Sequence, residues 1–245
     1  MEARVEQAAA LVLRAVDFGE ADRVLTLLTR ELGLVSAMAR SARNSKRRFA
    51  GALEGFSVIH VELAPSRGAL SRLLAARVTR AFPTLLTNLA ALEAAGALLR
   101  LARPLVPERV PEPELFDGLV EALEQLDQGA APRPLQVCSQ ARMLAQTGFA
   151  PMLTACVSCG REPHAGQATL LSVARGGIVC RACGGGPERL AGRLRQALQA
   201  ALEGAPLGSL ASMPDAEVRE AERLLSLFVA QLLQREHRLD TRPRM

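Results

Sequence analysis

The sequence of 245 residues contains no tryptophan and no tyrosine, and it has only three histidines. Aromatic platforms for bases and histidines for acid-base catalysis are therefore scarce. The single lysine, Lys46, lies in a Ser-Lys-Arg sequence, so the chain lacks the Gly-x-x-x-x-Gly-Lys-Ser/Thr loop that cradles nucleotide phosphates. A His-Glu-x-x-His motif is also absent. These absences argue against ATP chemistry and metalloprotease activity, and we expect a binding protein and not an enzyme.

Long apolar runs are missing as well. No stretch approaches the roughly 20 apolar residues of a membrane-spanning helix. The apolar run at residues 8–13 is too short and too poorly flanked for a signal sequence. We therefore expect a cytoplasmic protein without membrane contact, in which cysteines stay reduced.

Four of the five cysteines form two Cys-x-x-Cys pairs with twenty residues between them. Four thiolates at this spacing can close a tetrahedral zinc site. Glycines follow the second cysteine of each pair, at Gly160 and Gly184, where a tight turn often needs a positive φ. A site with four protein ligands leaves no position for water, so we expect a structural metal. The predicted ligands are Cys156, Cys159, Cys180 and Cys183.

The spacing leaves alternatives open. Two disulfides, four unrelated buried cysteines or an iron site would fit the same positions, and His164 could replace one sulfur. Four thiolates around a divalent ion carry a charge of minus two, which we expect nearby arginines to offset. The candidates for this role are Arg161, Arg175 and Arg181. Cys138 lies in a helical pattern and is interpreted as a core residue.

The net charge of +5 is concentrated near the N-terminus. Residues 1–82 contain 13 basic and 8 acidic side chains, whereas residues 83–245 contain 17 of each. The interval 32–53 has five bases and no acid, which is the electrostatic footprint of a surface that binds polyanions. A solvated loop is the alternative. The five bases are Arg40, Arg43, Lys46, Arg47 and Arg48. Phe49 follows them and is either a base-stacking residue or a core anchor.

Alternating patterns and turn residues predict about five short strands in the first part of the chain. They suit a small barrel at residues 1–82, either an OB-fold or, nearly as well, an SH3-like barrel. The predicted strands are residues 10–16, 24–29, 34–40, 56–63 and 70–82.

After Pro83 the apolar period becomes helical. We therefore expect an α+β chain with a helical domain at 83–245, a zinc module at about 150–187 and a disordered tail at 238–245. The predicted helices span residues 85–103, 115–129, 135–147, 190–202 and 215–237.

Several segments together resemble one protein family. Residues 12–14 and 18–33, the basic loop within 39–56, and Gly-Phe-Ala-Pro at 148–151 stand in order before the paired cysteines. Over nearly the whole chain this series resembles the bacterial RecO family of recombination mediators.

The resemblance implies an OB-fold followed by a helical domain with a four-cysteine zinc module. It implies binding of single- and double-stranded DNA, contact with RecR and the SSB C-terminal tail, and annealing of complementary strands. It further implies that the protein helps RecA to load onto SSB-coated single strands in the RecF pathway. Carried over by residue, the four paired cysteines hold the zinc and the five basic-loop residues contact DNA.

Two other functions remain as hypotheses. A zinc-stapled scaffold that joins proteins would touch nucleic acid only incidentally. A hydrolase or nuclease could hold magnesium with Asp17, Glu20 and Asp22, although acids in that position also suit a turn between strands.

Overall fold

The computed structural model describes residues 5–45, 47–65 and 70–240, with only the backbone described for 235–240. The chain divides into two compact units, residues 1–130 and 131–245. The first unit continues past the barrel into two helices, so the domain boundary between residues 82 and 83 stays a prediction.

Five strands form a closed barrel in the first unit, in the order β1-β2-β3-β5-β4 with β4 paired back to β1. All neighbours are antiparallel except β3 and β5, which are parallel. This arrangement is OB-like, which confirms the predicted small barrel and favours the OB-fold over the SH3-like alternative. The strands are β1 (Glu6–Phe18), β2 (Asp22–Thr29), β3 (Gly33–Ala39), β4 (Ser57–Ala64) and β5 (Ser71–Ala81).

Alternate side chains of these strands point into the barrel and are buried there. In β3, Val35, Ala37 and Ala39 face inward, and in β4 Ile59, Val61 and Leu63 do so. Alanine is frequent because the interior of a five-stranded barrel has little room. Phe49, at the end of the basic loop, joins this core with 2% of its surface exposed.

The turn between β2 and β3 is fixed by Thr29 and by a close backbone approach. The Thr29 hydroxyl donates to the Gly33 carbonyl oxygen at 2.8 Å and accepts from the Leu32 amide at 3.0 Å. Gly33 has a φ of 71°, and a β-carbon there would overlap the backbone carbonyl of Val110. The segment that contains Val110 also pairs with β3 of the barrel, since the Arg109 amide donates to the Leu34 carbonyl oxygen at 3.0 Å.

Two α-helices complete the first unit, α1 (Leu89–Leu105) and α2 (Pro113–Asp127). The prediction that α1 begins at residue 85 was wrong, because 85–87 form a 3-10 turn and the Asn88 side chain caps the α-helix by accepting from the Ala91 amide. Leu86 and Leu89 are consequently exposed. The helix also continues through Pro104, which lies in its last turn.

The described residues of the second unit form three α-helices, α3 (Pro132–Gln146), α4 (Gly192–Leu202) and α5 (Asp215–Asp240). A small sheet that was not predicted lies between α3 and α4, with β6 (Thr169–Ser172) flanked by β7 (Gly177–Val179) and β8 (Glu188–Leu190). Leu190 therefore ends a strand and does not start α4. The predicted disordered tail was wrong for 238–240, which are helical, and its last five residues lie outside the described part. Within the described part, none of the helices is long and apolar enough to cross a bilayer.

Candidate metal centre and nucleic-acid interface

The four paired cysteines come together as predicted. Their sulfur atoms all lie within 4.8 Å of one another, and the Sγ atoms of Cys159 and Cys180 are 3.7 Å apart. A tetrahedron of metal–sulfur bonds of about 2.3 Å has edges of roughly 3.8 Å, so the spacing fits a four-thiolate site. All five cysteines are free thiols in the structure, in which neither disulfide is formed. Cys156 is buried, while its three partners are partly or fully exposed.

Each Cys-x-x-Cys pair lies in a turn that is closed by backbone hydrogen bonds. In the first, the Gly160 amide donates to the Cys156 carbonyl oxygen at 2.9 Å; in the second, the Gly185 amide donates to the Cys180 carbonyl oxygen at 3.1 Å. Gly160 and Gly184 have φ values of 71° and 95°, which confirms the predicted positive φ at both positions. The sheet holds the two turns together, since the Val157 amide donates to the Ile178 carbonyl oxygen in β7 at 3.0 Å.

Hydrogen bonds shift the pKa values of two of the thiols. The amide of Cys180, 3.4 Å from Cys156 Sγ, and those of Ser158 and Cys159 lower the pKa of the Cys156 thiol to about 5. Hydrogen bonds with the sulfurs of Cys180 and Cys159 raise the pKa of Cys183 to about 12. A cation at the centre would favour the thiolate form of every ligand, so this donor set is suited to a metal ion.

Of the three arginines expected to support the cysteine cluster, Arg175 does so by hydrogen bonds. Its Nη1 donates to the Cys183 carbonyl oxygen at 3.0 Å and its Nη2 donates to the Ser158 hydroxyl. The guanidinium groups of Arg161 and Arg181 make no hydrogen bond or ion pair with any part of the chain that the structure describes. His164 is exposed and outside the sulfur cluster, and Cys138 is buried in α3 as predicted.

A buried arginine of α4 anchors the cysteine-bearing segment to the helices. Arg195 is only 7% exposed, and its Nη1 donates to the Leu153 carbonyl oxygen at 3.1 Å. Its Nη2 lies 3.5 Å from the His164 carbonyl oxygen. Charge-assisted hydrogen bonds of this kind are stronger than neutral ones, so Arg195 holds the chain on both sides of the first turn.

The basic loop lies between β3 and β4 and presents its described arginines to solvent. Arg40, Arg43, Arg47 and Arg48 are all exposed, whereas Lys46 falls outside the described residues. Arg43 Nη1 donates to the Glu20 carbonyl oxygen at 3.2 Å, and Arg48 Nη2 donates to the Arg40 carbonyl oxygen at 2.8 Å. Each contact uses only part of a five-donor guanidinium group.

Phe49 acts as the anchor of this loop and is unavailable to bases. Its ring is buried in the barrel, and the Arg48 guanidinium lies 4.9 Å from the ring centroid. The core-anchor interpretation of Phe49 is therefore confirmed. Phe18, at the end of β1, is instead 58% exposed.

The acids considered for magnesium binding have structural partners. Asp17 accepts from Arg23 Nε at 2.9 Å, and Asp22 accepts from the Ser41 amide at 2.7 Å. Over the described ranges, the four cysteines form the only cluster of potential metal ligands. These contacts confirm the interpretation of Asp17 and Asp22 as turn residues.

Sequence reasoning missed further exposed arginines on the barrel. Arg72, the second residue of β5, lies directly opposite Met38 of β3 and is exposed. Arg40 follows two residues after Met38, just past the end of β3, so Arg72 lies beside the start of the basic loop. Arg77 lies opposite His60 in β4. Arg30 and Arg80 are different, because they form ion pairs with Asp117 and Glu124 of α2. Strand pairing decides which arginines lie close to the basic loop, and strand pairing is not visible in the local sequence.

The fold and the site place the chain in a two-part class of proteins. In this class a closed OB-like barrel with a basic loop is followed by a helical unit with a four-cysteine cluster. Family models cover almost the whole chain: one described as "Recombination protein O N terminal" matches residues 1–82, and one described as "Recombination protein O C terminal" matches residues 86–241. The chain belongs to the recombination protein O (RecO) family.

Similar proteins from several bacteria carry the description "DNA repair protein RecO". That of Anaeromyxobacter sp. (strain K) is 40% identical over 240 residues, which are 95% of this chain and 91% of the relative. That of Myxococcus xanthus is 36% identical over 226 residues, covering 92% of this chain and 91% of the relative. That of Geobacter sulfurreducens is 39% identical over 175 residues, or 71% of each. The family supports a role in DNA repair and recombination.

Proposed function

We propose that this chain is a DNA-binding recombination mediator of the RecF pathway. In this role it binds single- and double-stranded DNA and anneals complementary strands. With RecR, it helps RecA to load onto single strands coated with SSB, whose C-terminal tail it contacts. The observation that carries the proposal is the set of exposed guanidinium groups on an OB-like barrel, in a chain that matches the RecO family models over residues 1–82 and 86–241.

Binding at the basic loop would act mainly through phosphates. Arginine offers charge and paired N–H donors to phosphate oxygens, and each phosphate that it neutralises releases condensed counterions. Arg40 and Arg47 are the best candidates, because neither forms a hydrogen bond or ion pair through its side chain with the described residues. Phosphates carry no base identity, so binding should tolerate any sequence and weaken steeply with salt.

The metal in the proposed function is Zn²⁺ with a structural role. Cys156, Cys159, Cys180 and Cys183 would hold it, and four protein ligands leave no position for a reacting water. Its contribution would be to the folding of a segment whose strands have only three or four residues. We accordingly propose no enzymatic activity, and we place the protein in the cytoplasm, at the nucleoid.

Annealing of complementary strands coated with SSB, in the absence of ATP, tests the proposal directly. The variant R40E/R47E replaces two unpaired positive charges of the loop by negative charges. Its matched control, R100E/R103E, makes the same charge change at two exposed arginines of α1 that also lack ion pairs among the described residues. We expect R40E/R47E to lose at least about tenfold in DNA affinity at low salt, and to anneal slowly. The control should behave like the unaltered protein.

Equal affinity of the two variants would contradict binding at the basic loop. If the unaltered protein neither binds DNA in dilute buffer nor accelerates annealing, the mediator function itself is wrong. Retention of protein partners by a chain without DNA affinity would instead favour the zinc-stapled scaffold.

A further inference from the structure

The arginines of the second unit fall into two groups. Between residues 131 and 234 there are ten, and seven of them form hydrogen bonds or ion pairs through their side chains. The other three, Arg161, Arg181 and Arg189, are exposed and have no such partner in the described part of the chain. A cluster of unpaired guanidinium groups creates a positive potential that attracts anions.

All three unpaired arginines line one cleft of about 830 Å³ beside the cysteine cluster. They come from separate elements: Arg161 follows the first cysteine turn, Arg181 lies within the second, and Arg189 is in β8. Glu162 is the only carboxylate among the lining residues, against three arginines. Such a cleft is suited to a ligand with several negative charges.

Offsetting the charge of the thiolates would be a simpler role for these arginines. Arginines with that role should donate to the sulfurs or to the turns that carry them, as Arg175 does at Ser158 and the Cys183 carbonyl. The side chains of Arg161, Arg181 and Arg189 make no such contact within the described ranges. Backbone amides, including that of Cys180, already donate to the Cys156 sulfur. The three guanidinium groups therefore remain free to bind an anion.

We infer that this cleft, which we call the arginine cleft, binds the phosphate backbone of a second nucleic-acid strand. The inference rests on the proposed function and extends it from one DNA-binding surface to two, one in each unit. The cleft is many times larger than one phosphate group, and its three cations stand on different elements, so a polymer with repeated phosphates fits it better than a single ion. The lining contains no phenylalanine, tyrosine or tryptophan, and contacts to phosphates alone would accept any base sequence.

Two surfaces on one chain would give annealing a physical basis. Each complementary strand would be held through its backbone, which leaves the bases free to pair. Bringing both strands to one protein raises their effective concentration without any recognition of sequence. The inference therefore predicts that one chain binds two short oligonucleotides at once.

The test uses the full-length, zinc-loaded protein and a short thymidine oligonucleotide as the probe. The variant R161Q/R181Q/R189Q removes the cleft charges. The matched control R133Q/R193Q/R219Q neutralises three exposed arginines of the same unit that already have acidic partners. Binding stoichiometry, annealing rate and zinc content are measured for each. We expect the cleft variant to bind one oligonucleotide in place of two and to anneal at least about fivefold more slowly, with its remaining site unchanged.

The loop variant R40E/R47E should show the converse, losing the first oligonucleotide and keeping the one in the cleft. If the cleft variant loses zinc, the single variant R189E is used instead, because β8 lies outside both cysteine turns. Two oligonucleotides bound by a zinc-containing cleft variant, or only one bound by the unaltered protein, would overturn the inference. Displacement of the second oligonucleotide by inorganic phosphate at the same phosphate concentration would reveal a small-anion site and also overturn it. Failure of the unaltered protein to bind any oligonucleotide would be a failure of the proposed function itself.

Discussion

The guanidinium group of Arg175 donates to the backbone carbonyl oxygen of Cys183 at 3.0 Å. Its second terminal nitrogen donates to the hydroxyl of Ser158, so one side chain joins the two Cys-x-x-Cys turns. Arg175 therefore connects the first pair of ligands with the second pair, although twenty residues separate the two pairs in the sequence. Groups that hold ligands in place by hydrogen bonds contribute to metal affinity.

Replacement of Arg175 by alanine should therefore weaken metal binding by about 10- to 100-fold. Competition with a chromophoric chelator measures the affinity. R181A is the matched control, because Arg181 lies within the second turn but makes no side-chain hydrogen bond in the described part of the chain. Equal zinc affinity of R175A and R181A would show that the bridge does not stabilise the site.

The cysteine site was predictable because its signal is local. Each pair of ligands lies within four residues, and the glycine after each pair marks the turn. Strand β4 was predictable for the same reason, since alternation over 56–63 matches the observed Ser57–Ala64. The small sheet of the second unit was not, because strands of three or four residues are too short to show a period.

Other parts of the site depend on contacts that sequence cannot reveal. Arg72 joins the surface near Arg40 only because β5 pairs in parallel with β3, although the two residues are far apart in sequence. The unpaired state of Arg161 and Arg189 likewise depends on where the acids lie after folding. Charge counts predicted a basic loop at 40–48 but could not distinguish arginines with partners from those without.

Metal binding should release fewer than four protons at pH 7. The pKa of Cys156 is about 5, so this thiol is already ionised and has no proton to lose, whereas the pKa of Cys183 is about 12 and its proton must leave when the metal binds. Zinc titration in a weakly buffered indicator solution counts the protons. A count of four for the unaltered protein would contradict the assigned state of Cys156.

Substitution of Gly33 by alanine should destabilise the barrel. A β-carbon at this position would overlap the Val110 carbonyl group, and the φ of 71° is unfavourable for alanine. We expect a loss of about 2–4 kcal/mol in the free energy of unfolding, measured by denaturant titration. G19A is the control for backbone strain alone, because Gly19 has a φ of 61° and nothing within 4 Å of its β-carbon position. It should cost only about 1 kcal/mol. Similar losses in both variants would show that the approach of Val110 has no energetic consequence.

Phe18 should provide the stacking contact that the buried Phe49 cannot. Its ring is 58% exposed at the end of β1, and the turn that follows is held to the basic loop by the bond from Arg43 to the Glu20 carbonyl oxygen. A base unstacked from its neighbours can lie on an exposed ring, whereas bases within a duplex cannot. F18A should therefore weaken binding of single-stranded DNA by about 1–3 kcal/mol and leave duplex binding nearly unchanged.

Fluorescence anisotropy with labelled single strands and duplexes measures both affinities. The matched control is F149A, which removes another partly exposed ring, 39% accessible, from the second unit. This control should bind both forms of DNA like the unaltered protein, because the ring lies outside the basic loop and the arginine cleft. Equal losses for single strands and duplexes in F18A would mean that the ring supports the fold of the loop and does not stack on bases. No loss in either would mean that phosphate contacts alone account for binding at the barrel.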